Sequence, residues 1–141
     1  MGHEISDAFS VSASALSAER TRMNVVASNL ANANVLKTAE GGPYRRRQVV
    51  FEPMLDRAMA ASGAPNAGGV RAKVVVDHSA GELRHDPGNP YADKDGYVRQ
   101  TNVSPMFEMV DLMTAARSYE ANLGAIRVYR EMVQKTIQMG R

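Results

Sequence analysis

The chain has 141 residues, the size of one ordinary domain, with 17 Lys and Arg nearly balanced by 15 Asp and Glu. That balance gives no argument for a polyanionic partner, and the absence of Cys excludes disulfides and thiol chemistry. No run approaches the roughly 18 apolar residues of a membrane span, and MGHEISDAFSVSASALSAER lacks the basic start and apolar segment of a cleaved secretory signal, so neither membrane insertion nor signal cleavage is expected.

Residues 4 to 34 predict a long helix. Ile5, Phe9, Ser12, Leu16, Glu19, Met23, Val26, Leu30 and Ala33 step four, three, four, three, the spacing of a helix lying along another helix. Ser12 and Glu19 are polar and weaken that seam, and Ala and Ser fill much of the remainder. Asn29, Asn32 and Asn34 are poor helix-interior residues that favour turns. Gly41-Gly42-Pro43 then breaks the helix.

Tyr44 to Glu52 reads as extended, closed by Pro53. MLDRAMAAS (54–62) allows a short helix, and GAPNAGG (63–69) is loop by composition. Residues 70 to 76 alternate as a half-exposed strand broken by Val75. Residues 79 to 95 are turn-rich, and residues 96 to 101 give a last short strand. The middle is a small β-rich insert, too small to be more than marginally stable alone.

Ser104-Pro105 opens the longest segment, which reaches Met139. Met109, Leu112, Ala116, Tyr119, Leu123, Ile126, Val133 and Ile137 form its seam, interrupted at Arg130. A second row, Met106, Val110 and Met113, widens the apolar face beyond what one neighbour covers. Met packs adaptably against differing shapes. The two helices would be about 45 and 54 Å long, too long for burial in a domain whose radius of gyration is about 14 to 15 Å. They must pair with each other, with other chains, or both. The expected fold class is mainly α, with terminal helices (1–36 and 104–141) around a strand-and-loop insert (37–103); where the two ends pair with each other, they do so as an antiparallel coiled-coil-like hairpin.

Candidate chemistry is thin. Arg45-Arg46-Arg47 could grip phosphate, but a strand sends Arg46 to the opposite face, and no aromatic platform repeats nearby, so no nucleic acid is expected. A solvated edge or a contact to Asp or Glu fits better. His78 and His85 are separated by Gly81, which excludes convergent helical spacing for a metal. Asp93-Lys94-Asp95-Gly96 resembles part of a calcium loop, but Tyr91 and Asn102 stand where acidic donors belong, so a tight turn fits better. Asn102-Val103-Ser104 is formally a glycosylation sequon, a motif short enough to arise by chance. No acid or His sits on the C-terminal seam in a pattern that would turn packing into catalysis. No active site, cofactor or metal is expected.

NVVASNLANANV (24–35) followed by GPYRRRQVVFE (42–52) resembles the N-terminal signature of bacterial flagellar rod proteins. NPYADKDGYVRQTNV (89–103) followed by EMVDLMTAARSYEANL (108–123) resembles their C-terminal signature. With the short length, the combination is most similar to the proximal-rod members. Val35 stands where the asparagine motif usually closes with Thr, and Ser104 to Phe107 lack the acidic residues more often found there. The resemblance implies a structural subunit of the flagellar basal body, in the rod that spans the periplasm. It implies other rod proteins as partners, copies of the chain in a helical assembly, and delivery by the flagellar type III export apparatus on an uncleaved signal. The family's terminal helices pack inside a tube with the insert outside.

The assembly contacts are expected at Phe9, Leu16, Met23, Leu30, Met109, Leu112, Met113, Tyr119, Leu123, Ile126, Val133 and Ile137. Segments with such small-residue faces bury too little alone to offset ordering entropy, so both ends are expected to fold on assembly. A soluble adaptor for a partner coiled coil is the alternative from another class, and a small hydrolase or metal protein ranks last.

Overall fold

A computed structural model describes residues 2–54 and 68–140, with only the backbone described for residues 2–8. The short helix expected at 54–62 falls almost wholly outside the described residues. Helix α1 (Gly2–Ala31) is followed by strands β1 (Arg47–Pro53), β2 (Val70–Val76), β3 (Leu83–His85) and β4 (Tyr97–Arg99), then helix α2 (Pro105–Met139). The mainly helical architecture with a small β-rich middle agrees with the sequence reading.

The two helices pack along each other. Asn29 of α1 meets Glu108 at the start of α2, while Arg22, two turns back along α1, reaches Asp111 further along α2. Contacts that run in opposite directions along the two helices make the pair antiparallel. Ala18 and Val26 on α1 and Ala115 on α2 are buried between the layers. Small side chains here let the helix backbones approach.

The α2 seam is broader than the expected one. Leu112, Tyr119, Ile126 and Val133 are half-buried as the repeat requires. In the expected alternate row Ala116 and Leu123 are half-buried and Met109 is exposed, and a further row one residue nearer the N-terminus, Glu108, Ala115, Asn122 and Tyr129, is buried or half-buried. Tyr129 thus fills the place where Arg130 broke the pattern.

β1 and β2 form an antiparallel two-stranded ribbon, with Arg47 opposite Val76 and Pro53 opposite Val70. The ribbon lies along α1. At one end the Arg47 amide donates to Asn29 Oδ1 at 3.0 Å. At the other, the Val70 amide donates to Ser14 Oγ at 3.0 Å. The six strand steps from Arg47 to Pro53 span about 20 Å, and the fifteen helix steps from Asn29 back to Ser14 span about 22 Å. The two lengths are close enough for the ribbon to be tied to α1 at both ends. Pro53 is the last residue of β1 rather than a break beyond it, as an edge ribbon permits.

β3 pairs with β4, Leu83 opposite Arg99 and His85 opposite Tyr97. β3 lies in the stretch expected to be turn-rich, where no strand was expected. It has three residues and none is buried, so its strand conformation comes from pairing with β4 and not from a local pattern. The Asp93–Gly96 turn precedes β4 as expected, with Asp93 Oδ1 accepting the amides of Asp95 and Tyr97. Gly96 adopts φ +80° there, a conformation that favours Gly.

Candidate assembly site and its polar clasp

Two of the most fully buried side chains among the described residues are polar. Asn29 and Glu108 are fully buried where α1 ends, α2 begins and the middle segment enters. Asn29 Nδ2 donates to the Arg47 carbonyl at 2.7 Å and to Glu108 Oε2 at 2.9 Å. Its Oδ1 accepts from the Tyr44 hydroxyl and from the Arg47 amide, both at 3.0 Å. Glu108 Oε1 accepts from Arg46 Nε at 2.5 Å. A buried carboxylate is tolerable only when paired and hydrogen-bonded, and this one is both.

Asn102 extends the clasp. Its Oδ1 accepts the Arg46 amide at 2.6 Å, and its Nδ2 donates to the Asp77 and Ser79 carbonyls at 3.2 and 3.1 Å. Thr101 donates its hydroxyl to the Ala33 carbonyl at 2.6 Å, tying the β4 exit to the end of α1. Asp77 accepts the Ser79 amide and the Gln48 side chain. The Ser79 amide, then its hydroxyl, hold the Asp77 carboxyl below its ordinary value of 3.8, with Arg46 and Gln48 adding to the effect.

The candidates weighed from sequence separate here. Arg46 takes the contact to an acid, within its own chain, at Glu108. Arg45 Nη1 lies 2.7 Å from His78 Nδ1, while His85 packs edge-on against the Tyr97 ring. The two His therefore serve different contacts. Among the described residues no cluster of His, Asp and Glu could hold a metal, and no helix is long and apolar enough to cross a membrane.

Sequence reasoning missed the clasp itself. Asn29 was expected to mark a turn, yet it lies inside α1, and Glu108 was not singled out. Their signal was present, because Asn29, Tyr44, Arg46, Asn102 and Glu108 all fall in the four segments that carry the family resemblance.

Outside the clasp lies a large apolar face. Met106 and Phe107 are 74% and 71% exposed, and Met109, Val110 and Met113 are each more than half exposed. Of the expected assembly residues, Phe9, Met109, Met113 and Ile137 are exposed. Leu16, Met23, Leu30, Leu112, Tyr119, Leu123, Ile126 and Val133 are half-buried.

Two family models match the helical ends. "Flagella basal body rod protein" covers residues 9–35, and "Flagellar basal body rod FlgEFG protein C-terminal" covers residues 94–139. The chain is 42% identical over 133 residues to the flagellar basal-body rod protein FlgC of Salmonella typhimurium strain LT2, covering 94% of this chain and 95% of that one. It is 41% identical over 142 residues to FlgC of Bacillus subtilis strain 168, covering 93% and 95%. FlgC of Aquifex aeolicus is 42% identical over 135 residues, covering 96% of each. With relatives this similar over nearly their whole length, the chain belongs to the FlgC family of flagellar basal-body rod proteins, structural subunits of the rod.

Proposed function

We propose that the chain packs with copies of itself and with other rod proteins into the shaft that transmits torque across the periplasm, without a catalytic step. The flagellar type III export apparatus delivers it on an uncleaved signal. The helix pair, 1–36 with 104–141, forms the axial core, and 37–103 faces outward. Phe9, Met109, Met113 and Ile137 meet neighbouring subunits. The half-buried seam residues Leu16, Met23, Leu30, Leu112, Tyr119, Leu123, Ile126 and Val133 divide their surface between the partner helix and those neighbours. Sequence relatives give the adaptor reading no support.

The observation that carries this reading is the apolar face from Met106 to Met113, on the side of α2 away from the buried Glu108 and Ala115. Monomers seldom expose contiguous apolar patches of this kind without a partner for them. Met113→Asp tests it. Met113 is more than half exposed, so the substitution takes little from packing within the chain. In an assembly the buried, unpaired carboxylate costs several kcal/mol in every subunit. Motility is lost, and no hook or filament forms outside the cell. Normal swimming in that strain would show that this face meets no neighbour.

A further inference from the structure

Glu19 is the one acid on the helix seam that lacks a full set of partners among the described residues. It is only 7% exposed, yet its Oε2 is buried with no hydrogen bond. The nearest cation is Arg22, one turn along α1, with Nη1 3.8 Å away. That guanidinium is already committed across the seam, through Nη2, to Asp111 of α2. Two carboxylates therefore share one cation between the helices. The ribbon and the residue that enters it bring no relief, because Lys73 is paired with Glu52 and Arg46 is paired with Glu108. Arg47 reaches the clasp through its backbone, and Arg71 is exposed, opposite Glu52.

We propose that Glu19 is a proton-linked lock on the helix pair, holding a proton when α1 lies against α2 and losing it when the helices part. A neutral carboxyl suits the site, since its burial costs far less than that of an unpaired charge. Burial raises the Glu19 carboxyl above its ordinary value of 4.5, Arg22 partly offsets this, and the Asp111 charge raises it again. The sign follows. Between the ordinary glutamate value and the raised one, the paired state binds more protons than the parted state. Pairing therefore weakens as pH rises through that window.

The test follows the full-length chain by far-UV circular dichroism and urea denaturation from pH 4 to pH 8, beside Glu19→Gln. The wild-type helical signal and urea midpoint fall as pH rises, whereas those of Glu19→Gln stay level over the same range. Identical pH dependence in the two proteins overturns the proposal. Carboxyl-carbon NMR of the wild type supplies a readout that needs no variant to fold. One Glu titrates above the ordinary range, and Asp111→Asn, which also frees Arg22, shifts that titration downward. If every Glu titrates in the ordinary range, the proposal fails.

Discussion

Asn29 uses every hydrogen-bonding position of its amide inside the protein. Two donors go to Arg47 and Glu108, and two lone pairs accept from Tyr44 and Arg47. No other side chain of that size offers two donors and two acceptors in one plane, except an amide. Asn29→Ala strands buried groups on three residues at once. The expected loss is roughly 3 kcal/mol, since each unsatisfied buried group costs about 1 to 3 kcal/mol. Asn29→Asp is worse despite its closer shape, because a second carboxylate then faces Glu108 where a donor stood. Urea midpoints should rank wild type, Ala, Asp in descending order; an Asp variant as stable as wild type would show that the donation to Glu108 matters little.

At the scale of elements, the helices and β2 were legible because their apolar periods run over seven or more residues. β3 was not, because three exposed residues carry no period. The inner row that widens the α2 seam was hidden for a sharper reason. Its inner row holds Glu108, Ala115 and Asn122, polar or small, whereas the adjoining row holds Met109 and Leu123. Apolar periodicity follows the greasier row, and in a subunit with several neighbours that row need not face its own partner helix. The glycines show a similar contrast. A Cβ on Gly81 would stand 1.9 Å from the Gln100 carbonyl oxygen and 2.7 Å from its carbon, backbone that cannot swing aside. Gly81→Ala should cost about 2 kcal/mol by overpacking. Gly124 in α2 has nothing within 4 Å of such an atom, so Gly124→Ala should add roughly 0.5 to 1 kcal/mol through helix propensity. Thermal unfolding of the two variants should move in opposite directions.

For the molecule as a whole, the helices of 30 and 35 residues make up close to half of the chain. Much of their surface is open, and from Arg130 to Met139 Val133 alone on α2 is even half-buried. Contacts that sparse leave the helix ends near the low end of local stability. The dilute monomer should therefore show a helix content well below half, rising when the chain assembles. Circular dichroism of the monomer would settle this, and a content near half would show that the ends are ordered without neighbours. The clasp, by contrast, joins three parts of the chain at one level: the last turns of α1, the first turn of α2 and the entry to the ribbon. A twist applied to the middle segment therefore reaches both helices side by side at that level, and neither connecting loop has to carry the load.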